Sequence, residues 1–116
     1  MCTDLYGPHG PTLLSNGPSS VEVQGRWIRD AINLINRQGL KYIDPTPEAT
    51  KAWKDRINAL TEATLLPTTV STYMGSGIPG KKFEGVCYAG GVGQYHDEIR
   101  KALTGWQGFQ TVKATA

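Results

Sequence analysis

The chain has 116 residues and a formal net charge of +2, which fits one domain or part of a larger one. This charge is too small to indicate binding to nucleic acid or to an anionic membrane, and 39% hydrophobic residues are too many for a disordered chain. No apolar run reaches the ~18 residues of a membrane span, and residues 1–10 show no secretion signal, so we expect a cytoplasmic protein. Two cysteines, Cys2 and Cys87, and two histidines, His9 and His96, exclude a disulfide framework and a histidine-rich metal cluster.

The first 18 residues contain several Gly-Pro breakers and predict an irregular loop. A helix over residues 20–38 follows, with Ser19 as its N-cap and Glu22 completing a capping box. Its apolar stripe contains Trp27, and Gly39 fits the left-handed position after its end. Residues 41–43 predict a short strand.

A second helix is predicted over residues 47–64, opened by Thr46 and by Pro47 at its first position. The apolar pattern is lost from residue 65 to 82, which indicates a long loop. Residues 83–89 then predict a strand, residues 94–104 a third helix, and residues 109–112 a last strand. The pattern predicts an α/β chain of three helices, short strands and long loops.

Several motifs could bind a ligand or take part in catalysis, but each can also be explained by a structural role alone. The glycines at 90, 91 and 93 lie between a predicted strand and a helix, but His96 stands where a dinucleotide fingerprint needs its third glycine, so a tight turn is favoured. His96 is predicted to be a surface residue and Cys87 a small buried apolar one. The N-terminus of the first helix could stabilise an anionic group such as a reduced flavin, or could be an ordinary capped end.

The chain resembles the C-terminal part of type I Baeyer–Villiger monooxygenases, which include the cyclohexanone and phenylacetone monooxygenases. The similarity extends over nearly the whole chain in order. It is carried by Gly7-Pro8, Leu14-Ser15-Asn16, Glu22, Trp27, Thr64-Leu65, Ser71-x-Tyr73-x-Gly75, Ile78-Pro79-Gly80-Lys81, Tyr88-x-Gly90-Gly91, Tyr95 and Gly105-x-x-Gly108-Phe109.

The resemblance implies the C-terminal segment of a flavoprotein with two dinucleotide-binding domains, which uses FAD and NADPH to convert a ketone and O₂ into an ester or lactone. The resemblance does not extend to the N-terminal Gly-x-Gly-x-x-Gly segment that holds FAD in that family, nor to the second such segment that holds NADPH. We therefore expect a fragment that is inactive and binds no cofactor alone, its partners being the missing N-terminal cofactor domains. Whether the chain itself counts as an enzyme stays open. The alternatives are a small non-enzymatic binding or complementation module derived from that fold, and an independent small fold.

The resemblance also implies roles for individual residues. Residues 1–18 would form a loop that faces flavin and substrate, and residues 19–116 the remaining, incomplete part of the FAD-binding domain. Thr12, Leu13 and Leu14 would line the ketone pocket. Asn16 and Gly17, the latter at a position where the family often has Met, would lie against the flavin.

A second loop would face the nicotinamide cofactor. Relatives read Ser-Trp-x-x-Gly-Ala-Asn where this chain has Ser71-Thr72 and, further on, Gly77. Thr72 therefore occupies the position of a tryptophan that helps to place the cofactor. We also expect much of the apolar surface, including Trp27 and Trp53, to pack against sequence outside this chain.

Overall fold

The chain folds into three helices and one small sheet, and the computed structural model describes residues 5–12 and 14–115. The elements are, in order, α1 (Gly17–Arg37), β1 (Leu40–Pro45), α2 (Pro47–Glu62), α3 (Val92–Lys101) and β2 (Phe109–Lys113). Two short 3₁₀ turns, Leu66–Thr68 and Thr72–Met74, interrupt the long loop after α2. The predicted α/β class with three helices is confirmed.

Helix α1 begins three residues earlier than predicted. Its N-cap is Asn16, whose side chain accepts the backbone N–H of Ser19 at 3.1 Å. The prediction of Ser19 as the cap was wrong because Pro18, with its fixed φ and no N–H, suits the first turn of a helix. The other end is as predicted, since Gly39 adopts a left-handed φ of 63°.

Helix α2 follows its sequence signals closely. The Thr46 side chain caps the helix by accepting the N–H of Ala49 at 3.1 Å, and Pro47 takes the first helical position. The helix ends at Glu62, two residues before the predicted limit of 64. Helix α3 begins at Val92 rather than at 94 and ends at Lys101.

Strands β1 and β2 pair antiparallel, with Pro45 opposite Phe109 and Leu40 opposite Lys113. Both were predicted, slightly shorter than they are. The strand predicted over residues 83–89 is wrong, because this stretch forms no ladder with one neighbouring strand. It is extended, but its backbone groups pair with two different loops, as described below.

The core lies where α1, α2 and α3 meet the segment before α3. Its buried members are Trp27, Ala31, Ile57, Tyr88, Tyr95, Ile99, Ala102 and Trp106. Trp27 is only 4% exposed and donates from Nε1 to the carbonyl of Ile99 at 2.8 Å. The expectation that Trp27 packs on sequence outside the chain was therefore wrong, whereas Trp53 is only partly buried.

The molecule is elongated for its length. Its radius of gyration is 15.6 Å and its extents are 53 × 30 × 20 Å, whereas a compact domain of this length has a radius of about 13 Å. The stretch from Leu65 to Phe83 leaves several large apolar side chains in solvent, with Leu65 80% and Val70 95% exposed. Within residues 5–12 and 14–115, none of the helices is long and apolar enough to span a bilayer.

Candidate functional site

Residues 84–88, here called the bridging segment, connect the two loops that carry the predicted site. On one side the segment pairs with the N-terminal loop, residues 5–16: the N–H of His9 donates to the carbonyl of Val86 at 2.8 Å, and the N–H of Tyr88 donates to the carbonyl of Gly10 at 3.0 Å. These bonds fix the N-terminal loop against the body of the molecule.

On its other side the bridging segment pairs with the second loop, residues 71–77. The N–H of Glu84 donates to the carbonyl of Met74, and the N–H of Val86 donates to the carbonyl of Tyr73, both at 3.2 Å. The bridging segment is therefore an extended chain between two irregular loops. The N–H groups of Glu84 and Val86 bond to the second loop, whereas the Val86 carbonyl and the Tyr88 N–H bond to the N-terminal loop, so one short segment holds both loops.

The two loops and the bridging segment line an open cleft of 520 Å³, a volume within the range of small-molecule sites. Its lining is largely apolar and consists of Tyr6, Gly7, Pro8, Thr12, Tyr73, Val86 and Cys87. Among the residues that the structure describes, no group of acidic, cysteine or histidine side chains could hold a metal ion. The cleft can therefore hold an apolar small molecule beside a few polar groups.

The N-terminal loop carries backbone strain and is held by a buried glutamine. Tyr6 and His9 have positive φ angles of 57° and 64°, which are uncommon for residues other than glycine. The side chain of Gln24 on α1 accepts the Tyr6 N–H at 2.8 Å and donates to the Tyr95 hydroxyl at 3.1 Å. This pair of bonds ties the strained loop to α3, as strained functional loops require support.

Three titratable groups at the bridging segment and its neighbouring loop have shifted pKa values. Lys54 on α2 lies 2.9 Å from the Glu84 carboxylate, and this contact lowers the pKa of Glu84. Burial lowers the pKa of His9, so its ring favours the neutral form more than a free histidine does. Burial also raises the pKa of the Cys87 thiol, which keeps it protonated and a weak nucleophile.

Tyr88 anchors the end of the bridging segment in the aromatic core. Its ring stacks on Trp53 with a centroid distance of 5.8 Å and meets Tyr95 edge-on at 5.2 Å. Burial, followed by the neighbouring Glu98 carboxylate, raises the pKa of Tyr88 from 10.0 to about 12. The neutral phenol is therefore the form that the folded chain favours.

This shift predicts a loss of stability at alkaline pH. A pKa that is higher in the folded than in the unfolded chain contributes stability that is complete below pH 10 and is lost as the pH rises toward about 12. We expect urea midpoints of the wild-type chain to fall across this interval more steeply than those of Tyr88→Phe. Equal slopes in the two proteins would show that Tyr88 titrates normally in the folded state.

Comparison with known proteins shows which proteins have a similar sequence. No protein-family model matches the chain. The chain is 51% identical over 110 residues to the FAD-binding monooxygenase acrE of Aspergillus aculeatus, a match that covers 95% of this chain and 18% of acrE. It is 34% identical over 105 residues to the cyclopentanone 1,2-monooxygenase of a Comamonas species, covering 90% of this chain and 19% of that enzyme.

Solved structures give the same result. The cyclohexanone monooxygenase of Rhodococcus sp. Phi1, bound to NADP⁺, superposes with a TM-score of 0.84 at 33% identity over 95% of this chain and 20% of that one. The chain is homologous to a segment of the Baeyer–Villiger monooxygenases. The chain spans about a fifth of the length of these relatives.

The structure brings together some residues that the sequence assigned to the monooxygenase site. Thr12 lines the cleft. Leu14, two residues further along the chain, is 57% exposed, and Leu13 lies outside the described residues. Thr72 is exposed and is not part of the lining, where its neighbour Tyr73 is found instead.

Asn16 and Gly17 form the N-terminus of α1. The Asn16 side chain is engaged in capping, and the Gly17 N–H is the first of the helix, where no intrahelical acceptor exists. No acidic residue occupies the first turn. The Tyr6 ring lies against Gly17, and a Cβ added there would come within 3.2 Å of it. Tyr6 thus occupies the space that a side chain at position 17 would need.

Substituting Asn16 tests how much the N-cap stabilises α1. We expect Asn16→Ala to lower the free energy of unfolding by about 1 kcal/mol, because the Ser19 N–H loses its acceptor. Asn16→Asp keeps an acceptor oxygen and should change stability by less than about 0.5 kcal/mol. Urea denaturation followed by circular dichroism measures both, and an unchanged Asn16→Ala would show that the cap does not stabilise α1.

Other residues of the site were missed by sequence reasoning. Tyr73 and Val86 line the cleft, and Gln24 supports its N-terminal loop. Tyr73 belonged to the motif that carries the resemblance, so its signal was present but was assigned to Thr72. Gly85 offered another signal, since an isolated glycine within an apparent strand often marks a close backbone approach.

Proposed function

We propose that this chain supplies the substrate-side and flavin-facing part of an FAD- and NADPH-dependent monooxygenase that converts a ketone and O₂ into an ester or lactone. The single observation that carries the proposal is the match of 95% of the chain, at 51% identity, to an FAD-binding monooxygenase. Enzymes named for acetone and cyclopentanone are among the relatives, which supports a ketone as the substrate class.

A division of labour along the chain is part of the proposal. Residues 1–18 face flavin and substrate, and residues 19–116 complete the FAD-binding domain. Thr12, Leu13 and Leu14 are assigned to the ketone, and the apolar lining of the cleft supports this assignment. Thr72 is assigned to the nicotinamide cofactor, beside Tyr73 in the second loop.

The N-terminus of α1 suits a flavin. FAD, when bound, supplies the ring that receives hydride equivalents and activates O₂. Gly17 contributes a backbone N–H, Asn16 holds the helix end in place, and a 21-residue helix contributes a partial positive charge at that end. Together they favour a ring that becomes negative on reduction, and the lack of acidic residues in the first turn supports this role.

We propose that the chain binds neither FAD nor NADPH by itself and that its partners are domains that hold both cofactors. The elongated shape and the exposed apolar loop from Leu65 to Phe83 support a surface completed by such domains. Both cofactors are intracellular, which supports a cytoplasmic site of action. Incubation with FAD followed by gel filtration should leave no flavin absorbance with the chain, and stoichiometric flavin there would contradict this part.

A chimera tests the function directly. The chain replaces the matched segment of a cyclohexanone monooxygenase, and the product is purified and checked for bound FAD by its absorbance. We expect ketone-dependent NADPH oxidation and an ester or lactone detected by gas chromatography. The unmodified enzyme is the positive control, and the same enzyme without the segment is the negative one. A chimera that holds FAD and oxidises NADPH, but forms no ester from cyclic or linear ketones, would overturn the proposal.

A further inference from the structure

One face of α2 holds the bridging segment. Lys54, Asn58 and Thr61 are spaced four and three residues apart, so they lie along the same side of the helix. Lys54 pairs with the Glu84 carboxylate at 2.9 Å. The side chain of Asn58 accepts the Gly85 N–H through Oδ1 at 3.1 Å.

Thr61 completes this contact by close packing. It is 2% exposed, and its hydroxyl donates to the Ile57 carbonyl within α2 at 2.9 Å. A Cβ added to Gly85 would overlap the Thr61 hydroxyl and come within 3.0 Å of its Cβ. The backbone at residue 85 therefore lies directly on α2, at a separation that only glycine permits.

The contact between Gly85 and α2 also affects the two loops that pair with the bridging segment. Within the described residues, the backbone hydrogen bonds that join the N-terminal loop and the second loop to a common neighbour run through Glu84, Val86 and Tyr88. Asn58 holds the residue between the two that pair with the second loop. Displacement of Gly85 from α2 would move Val86, which lines the cleft and pairs with both loops.

We propose that Asn58 is a positioning residue of the cleft: by fixing Gly85 on α2 it sets the separation of the N-terminal loop and the second loop. Asn58 is not among the residues that line the cleft, and it acts through Gly85 and Val86. That the cleft takes a ketone rests on the proposed function, whereas the positioning role concerns the cleft's geometry alone.

The test uses the whole 116-residue chain with Cys2→Ser, so that Cys87 is its one thiol. Cys87 lines the cleft and is 4% exposed. We expect Asn58→Leu, which lacks the acceptor, to react with a thiol reagent about tenfold faster, the loss that one buried hydrogen bond implies. Asn58→Asp retains an acceptor oxygen and should react at close to the wild-type rate. Asn33→Leu, on the exposed face of α1, is the matched control.

Hydrogen exchange separates positioning from a general loss of stability. In Asn58→Leu the amides of His9, Glu84, Val86 and Tyr88 should exchange about tenfold faster, while α1 amides around Ala31 keep their wild-type protection. Equal acceleration in α1, or Cys87 reactivity unchanged, would overturn the proposal. If Asn58→Leu does not fold, Asn58→Ser, whose hydroxyl is too short to reach Gly85, is compared in the same way. No cofactor or ketone takes part, so failure here and failure of the chimera are distinguishable.

Discussion

Replacing Gly85 by alanine should destabilise the chain by about 3 kcal/mol, toward the upper end of what overpacking costs in a well-packed interior. The added methyl group would overlap the Thr61 hydroxyl and lie 3.0 Å from the Thr61 Cβ, and Thr61 is held by its bond to Ile57. Neither partner can move freely, because Thr61 is within α2 and Gly85 is bonded to Asn58. The measurement is urea denaturation followed by tryptophan fluorescence.

Gly25→Ala is the matched control. Gly25 is inside α1, and a Cβ added there would meet no atom within 4 Å beyond the neighbouring residues and backbone of its own helix. Alanine at this position should raise the free energy of unfolding by about 0.5–1 kcal/mol, because glycine is the poorer helix former. The two substitutions are chemically identical, so opposite signs would confirm the close approach of Gly85 to α2. A Gly85→Ala protein as stable as wild type would contradict it.

Replacing Trp27 by alanine should remove about 3–5 kcal/mol of stability, which approaches the whole folding free energy of a domain of this size. Trp27 is buried between α1 and α3, bonds to the Ile99 carbonyl and lies 6.3 Å from the Phe109 ring. We expect Trp27→Ala to lose its near-ultraviolet circular dichroism and its cooperative urea transition.

Phenylalanine substitutions compare the two tryptophans with a smaller loss of packing than alanine causes. Trp27→Phe keeps an aromatic ring but loses the bond to Ile99, which should cost about 2 kcal/mol. The indole N–H of Trp53 is buried without a hydrogen-bond partner, so Trp53→Phe removes an unsatisfied donor and should change stability by less than about 1 kcal/mol. If Trp53→Phe proved the more damaging of the two, this account of the core would be wrong.

The helices show how far local sequence signals extend. Thr46 and Pro47 start α2, and Gly39 ends the turn after α1, because each signal acts on backbone groups within four residues. The cap of α1 is equally local: Asn16 rather than the predicted Ser19 caps the helix, because Pro18 fits the first turn.

The extended stretch before α3 shows what local sequence signals cannot predict, namely which backbone groups pair with it. Residues 83–89 have the composition of a strand, but the N–H of Tyr88 finds its acceptor at Gly10 and that of Val86 finds it at Tyr73. Alternation of residue types cannot say whether the neighbours of an extended chain are strands or loops, since both satisfy the same backbone groups.

The sequence by itself determined the three helices, the presence of β1 and β2 and the relationship to the monooxygenases, because caps, breakers and motifs are short-range features; the pairing of the two strands came from the tertiary structure. Only the tertiary structure decided that Tyr73 rather than Thr72 lines the cleft, that Trp27 is buried within this chain, and that Gly85 lies on α2. Those facts depend on which surfaces meet after the chain has folded back on itself, and side chains far apart in sequence must fill the space between them.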